Sequence, residues 1–191
     1  MTVGPQISGG DEWADLHRDA RRLLETWSHV DPAQLVLRDE YLDFLAAHPN
    51  AMARSCAPGH LTSSALVMDE GKTSVLLTLH PKVGRWLQLG GHNEAMDAGV
   101  REAARREAIE EGGIDAVHVS AAPMRLDRHP VPCGGRQSVH WDVQFLATVP
   151  MGSVPVMSAE SDDLRWFTLD ALPTGLDASV QALIRDALSG A

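Results

Sequence analysis

Three carboxylates recur at helical spacing in the run Arg106-Glu107-Ala108-Ile109-Glu110-Glu111-Gly112-Gly113-Ile114. At about 100° per residue, Glu107, Glu110 and Glu111 share an arc of roughly 100° on one helix face. Two effects oppose that arrangement. Like charges three or four residues apart cost about 0.2–0.5 kcal/mol per pair. Carboxylates in a last turn also meet the negative end of the helix dipole, at about 0.3–1 kcal/mol each when exposed. A bound divalent cation removes both penalties, because hard cations take oxygen ligands. The plain alternative is a solvated acidic face, so the surrounding elements decide.

Those elements alternate. Residues 98–111 are Ala-rich and charged, a helix stopped by Gly112-Gly113. Residues 61–68 and 73–79 are β-rich runs around Asp69-Glu70-Gly71-Lys72, a hairpin signal. Short strands are expected at 86–89, 114–119 and 164–169, with a longer one at 139–149 after a loop holding Pro130, Pro132, Gly134 and Gly135. Residues 180–188 form an amphipathic C-terminal helix. Several strands with a central and a terminal helix predict an α/β domain with a mixed sheet. Before it, Trp13, Leu16, Ala20, Leu23, Leu24 and Trp27, then Leu37, Tyr41, Phe44 and Leu45, fall at helical spacings. Residues 1–58 therefore read as an N-terminal helical extension and residues 59–191 as the main domain. The extension's apolar stripe suits the core of this chain or a second copy of it, as in a homodimer.

Upstream of the glutamates stands Gly90-Gly91-His92-Asn93-Glu94-Ala95-Met96-Asp97. Here the sequence resembles the Nudix hydrolase family. Its box is a Gly, five residues, an acid, seven residues, then Arg-Glu-aliphatic-any-Glu-Glu-any-Gly-aliphatic. Arg106, Glu107, Glu110, Glu111, Gly113 and Ile114 match the second half, with Ala108 at an aliphatic position. At about 6% usage per residue type, five such fixed letters arise by chance roughly once in several thousand chains of this size. There are departures. Asp97 is an Asp where Glu is usual, and eight residues separate it from Arg106 instead of seven. This reads as a one-residue insertion near Ala98-Gly99, with Asp97 as helix N-cap. Leu89 stands where the family often has Pro. The resemblance covers about residues 60–190 and includes Gly84-Arg85-Trp86 and Arg165-Trp166-Phe167.

The resemblance implies an α/β/α sandwich and hydrolysis of a pyrophosphate bond in a nucleoside diphosphate linked to another moiety. It implies Mg²⁺ or Mn²⁺ held by Glu107, Glu110 and Glu111, with the carbonyl of Gly90 as a further ligand where a Gly pair admits close approach. Arg106 would hold the glutamates by charge-assisted hydrogen bonds. A general base in several family members comes from a later loop; here Glu160 is the first choice and Asp163 the second. On the substrate side, Trp86 could stack a base, and Gly91 and His92 adjoin the phosphate region. His80, His129 and His140 read as ordinary histidines. A zinc site from His129, Cys133 and His140 lacks paired spacing. Two other activities fit the fold: a non-catalytic nucleotide-sensing domain, and an isoprenyl-diphosphate isomerase, whose relatives degrade the box that this chain keeps.

Composition narrows the partners. The 191 residues carry a net charge of −10, with 26 Asp+Glu against 16 Lys+Arg. That argues against polymeric nucleic acid and anionic membranes, and for a small nucleotide or diphosphate brought in with its cations. Two cysteines make no disulfide framework and fit a reducing cytoplasm, and the N-terminus lacks a signal-peptide pattern.

Overall fold

The computed structural model describes residues 12–133, 135–159 and 161–190. Two helices come first, α1 (Ala14–Thr26) and α2 (Pro32–Ala47), followed by β1 (His60–Asp69), β2 (Ser74–His80), β3 (Arg85–Leu87) and β4 (Leu89–His92). Then come α3 (Val100–Gly112), β5 (His118–Val119), β6 (Arg125–Cys133), β7 (Arg136–Val149), β8 (Asp163–Thr168) and α4 (Ala178–Ser189). Among the described residues no helix is long and apolar enough to cross a membrane.

The strands form one mixed sheet. Its spine runs β3-β2-β1-β7-β5, with β4 on β1, β6 on β7 and β8 on β2. β1 and β7 are parallel over their full overlap, from His60 opposite His140 to Asp69 opposite Val149. The other pairs are antiparallel. β1 shares one edge between β2 near its C-terminus (Val67, Met68) and β4 near its start (Thr62–Ala65), so the sheet curls.

Alternation along β1 divides two cores. Leu61, Ala65 and Val67 join Leu89, Val143 and Phe145 beneath α3, and the same cluster takes in Leu16, Leu24, Trp27, Tyr41 and Leu45 from the helical hairpin. Leu66, Met68, Val75 and Leu77 pack on the other face against Val180, Leu183 and Ile184 of α4. The architecture is thus an α/β/α sandwich with the two N-terminal helices added to the α3 side. Polar ties fix the hairpin. Trp27 Nε1 donates to Pro123 O at 2.7 Å, Gln34 brackets the backbone of Leu126 at 2.8 and 3.2 Å, and Tyr41 Oη donates to the carbonyls of Asp127 and Asp142 at 2.7 and 2.9 Å.

Three local expectations are corrected. The segment with Pro130 and Pro132 is not a loop but part of β6, opposite Val139 and Gln137. Among the described residues β6 pairs only with β7, and proline is tolerated on such an edge strand because no second neighbour needs its missing N–H. The strand expected at 114–119 shrinks to His118–Val119: Ile114 and Val117 are both buried, and a turn from Asp115 O to Val117 N interrupts the alternation. The strand expected at 86–89 splits into β3 on β2 and β4 on β1.

Candidate active site

The box helix α3 turns a small-residue face to the sheet. Ala103, Ala104, Ala108 and Gly112 are buried, which brings the helix close to β1 and β4. Gly113 ends it in the left-handed region (φ 64°), with its N–H on Ile109 O at 2.8 Å. A Cβ there would lie 2.5 Å from Val156 Cβ, so both conformation and space require glycine.

At the other end the expected N-cap is overturned. The N-cap is Gly99, not Asp97, and the side chain that accepts the Val100 N–H comes from another element: Asp19 Oδ2 of α1, at 3.0 Å. Asp97 has a different task. One oxygen accepts the Glu94 N–H at 2.7 Å, and the carboxylate takes two bonds from Arg106, Nε to Oδ1 and Nη2 to Oδ2, each 3.0 Å. The extra residue between Asp97 and Arg106 is absorbed in the turn before the helix, which frees Asp97 to reach back.

Arg106 is the hub. Besides Asp97 it donates to Glu107 Oε1 at 2.9 Å, Glu110 Oε2 at 3.1 Å and the carbonyl of His92 at 2.9 Å. The Asp97 hydrogen bonds, opposed by burial and aided by Glu107, hold its proton more tightly than an ordinary guanidinium does. Every donor direction of the fork is directed at a neighbour, so the guanidinium sets where the glutamates stand.

β4 supplies the opposing backbone. The Gly90 N–H donates to Glu111 Oε2 at 2.9 Å. A Cβ on Gly90 would lie 2.3 Å from Ser64 Cβ, and one on Gly91 would lie 2.7 Å from Glu107 Oε2. Both glycines are therefore demanded by close approach, Gly90 to β1 and Gly91 to the Glu107 carboxylate. Glu107, Glu110 and Glu111 line one cleft together with Ser158 and Ala159.

The remaining sequence candidates scatter. Glu160 and the Cys133 side chain lie outside the described residues. Asp163 opens β8 and pairs with Arg165, whose hydrogen bond lowers its proton affinity. Trp86 packs edge-on against Phe167 (centroids 4.7 Å, 77°) beside the α4 core, with the Arg165 guanidinium 5.9 Å from its ring. His92 is divided: its carbonyl serves Arg106, while its ring stacks on His60 at 5.1 Å and meets His140 at 5.3 Å. Burial, then Arg54 and His60, pushes the His92 imidazole down to about 4.

Sequence reasoning missed the Asp97–Arg106 bond, the Asp19 cap and a buried polar group around Asp142. Thr62 Oγ1, Ser64 Oγ and Gln144 Nε2 donate to that carboxylate at 2.9, 2.6 and 3.1 Å. Burial raises its proton affinity against those bonds. The acid six residues after Gly91 was a signal for Asp97; for Asp19 and Asp142 local sequence holds none, since their partners lie on distant elements.

Comparison with known proteins adds the lineage. A NUDIX-family hydrolase from Clostridium perfringens superposes with a TM-score of 0.55 at 24% identity, covering 68% of this chain and 96% of its own. A C. elegans Ap4A hydrolase in a binary complex gives 0.53 at 19% identity over 68% and 96%. The NUDIX domain of Shewanella oneidensis NrtR, complexed with ADP ribose, gives 0.54 at 18% over 78% and 96%. These likenesses establish the fold. No curated protein matches the chain. The NUDIX domain family model matches residues 59–187, a span that holds β1, β4, α3 and the whole Arg106 hub, and with that match the chain belongs to the Nudix hydrolase family.

Proposed function

We propose that this chain is a divalent-metal-dependent pyrophosphohydrolase that cleaves a nucleoside diphosphate linked to another moiety. The observation that carries the reading is the fan of bonds from Arg106, which turns Glu107 and Glu110 toward one cleft while Gly90 fixes Glu111 from across it.

The donor set fits the ion. Asp97, Glu107 and Glu110 share a single guanidinium and Glu111 accepts from the Gly90 N–H, so the four carboxylates keep a net negative charge, and oxygen donors alone suit Mg²⁺ or Mn²⁺. Glu107, Glu110 and Glu111 would hold it, with the Gly90 carbonyl as a further oxygen. When bound, such an ion supplies neutralising charge for the diphosphate and lowers the pKa of water. The chain's own part is orientation. Arg106 keeps two carboxylates in fixed rotamers, the Gly90 N–H holds Glu111, and bare Gly91 leaves room for the Glu107 head. As proton acceptor Glu160 is our proposal, because Arg165 makes Asp163 the poorer base. A small diphosphate accompanied by cations also fits a chain of net charge −10.

The test is a panel of nucleoside diphosphate derivatives, read by phosphatase-coupled phosphate release with Mg²⁺ or Mn²⁺. Turnover should stop in EDTA and return with either ion, and Glu111→Gln should abolish it while leaving the circular dichroism and melting profile intact. Undiminished turnover after exhaustive chelation, or in Glu111→Gln, would overturn the reading. Saturable nucleotide binding with no turnover on any member would favour the sensing alternative.

A further inference from the structure

A second cluster lies on the other face of the same strands. Side chains of residues opposite each other in a sheet point the same way, as do those two apart in one strand. His60 is opposite His140 in the β1–β7 register, and His92 is opposite Thr62 in β1–β4. The three imidazoles are therefore projected together from three neighbouring strands, on the face away from α3. Their rings lie 4.9, 5.1 and 5.3 Å apart, at 65°, 28° and 90° to one another. One ring nitrogen from each lies within 4.8 Å of the others. His60 is fully buried. His140 Nε2 is buried too and has no hydrogen-bond partner among the described residues, an arrangement that is unfavourable unless something else meets the nitrogen. The carboxylates of this face are engaged elsewhere: Asp142 by Thr62 and Ser64, Asp127 by His129 Nδ1 at 2.6 Å.

We infer that His60, His92 and His140 form a binding site for a divalent transition-metal ion of the nitrogen-preferring class, such as Zn²⁺, separate from the carboxylate cluster on α3. Imidazole suits Zn²⁺, Cu²⁺ and Ni²⁺, whereas carboxylates suit Mg²⁺ and Mn²⁺, so the two donor sets select different ions. Zinc–nitrogen bonds of about 2.0–2.1 Å put tetrahedral nitrogens about 3.4 Å apart, so the three rings need only a small closing rotation. A set of three histidines leaves a fourth position for water or a donor atom of a ligand. His129 lies opposite His140 on β6 with its ring 5.6 Å away. The site shares one residue with the catalytic hub, since the carbonyl of His92 accepts from Arg106. The inference rests on the strand register and not on the proposed hydrolysis.

The experiment uses the full chain, stripped with EDTA and dialysed into excess Mg²⁺ to saturate oxygen sites. Calorimetric titration with Zn²⁺, and visible absorption with Co²⁺, should then report about one tightly bound ion per chain. His140→Gln and His92→Gln should lose that ion, and Glu111→Gln should keep it. Absence of tight binding in the unaltered protein, persistence in His140→Gln, or loss in Glu111→Gln would overturn the assignment. The unaltered protein also gives a reading that no folding defect can blur. Zn²⁺ should shift the imidazole ¹⁵N signals of His60, His92 and His140 but not those of His80 or His118. Unchanged signals at all three would equally overturn it.

Discussion

Asp97→Asn separates the role of this residue in the structure from the one its sequence position suggests. As a helix N-cap, Asn performs as well as Asp, and the change would be nearly silent. As the partner of Arg106 it is not. The Asn oxygen can still accept the Glu94 N–H, but its amide nitrogen then faces the guanidinium, donor against donor. One charge-assisted bond is lost and a positive charge loses its two-point counter-ion. The Asp97 side chain is 7% exposed and that of Arg106 21%, so the pair sits between a surface ion pair, worth about 0–1 kcal/mol, and a buried one, costing about 3–5 kcal/mol when broken. Hydrogen bonds to charged groups contribute about 1.5–3 kcal/mol. A loss of about 1.5 kcal/mol is expected, a fall in Tm of roughly 3–6 °C for a domain of this size. The freed guanidinium also stops fixing Glu107 and Glu110. Loss of such an orienting partner lowers metal affinity or activity on the order of 10- to 100-fold. Urea denaturation reads the first effect, and the Mg²⁺ dependence of turnover reads the second. A variant with unaltered melting and unaltered Mg²⁺ activation would refute the Arg106 argument and return Asp97 to a helix cap.

Asp19→Ala removes the cross-element cap on Val100 and should cost about 1 kcal/mol in urea denaturation. Gly91→Ala drives a methyl into the Glu107 carboxylate, whose oxygens would lie 2.7 and 2.8 Å away. Because a flexible side-chain end gives way and the backbone does not, kcat should fall in coupled turnover assays while Tm holds. In EDTA-treated protein, stability should decline as pH falls below about 6.5. Burial holds His92 at about 4 and His140 at about 3, so the unfolded chain binds more protons than the folded one over that window. Arg54, Lys82 and His60 face His92, and His60, His92, His129 and Arg54 face His140, which adds repulsion once either ring charges. A flat urea-midpoint profile from pH 7 to 4 would contradict it.

What was legible in the sequence was what is local. The box reads off one helix and one glycine pair, because Arg106, Glu107 and Glu110 contact each other within a single turn and Gly113 ends that helix by its own conformation. Relations between strands were not legible. The parallel register that sets His60 against His140 depends on where two strands 80 positions apart begin to pair, and no spacing rule reaches that far. The same limit hid Asp19, which acts 81 residues away. Pro130 and Pro132 read as loop residues because proline is judged against a paired strand, and only the topology makes β6 an edge.

The Asp19 cap changes how the N-terminal helices relate to the catalytic span. The family match begins at residue 59, and the relatives' folds cover only 68–78% of this chain, so α1 and α2 could pass for an accessory. Their contacts argue otherwise. The first free N–H of the box helix is satisfied from α1, the backbone of Leu126 is bracketed by Gln34 of α2, and Tyr41 ties β6 to β7 through two carbonyls. A chain cut back to the family span would leave those buried groups without partners and strip Leu16, Leu24 and Leu45 from the core beneath α3. Helix α3 would then lose the support that fixes its start relative to β4, and the distance from Gly91 to Glu107 leaves little slack for it to move. The extension is in this sense part of what holds the glutamates in place, although none of its described residues lines the cleft.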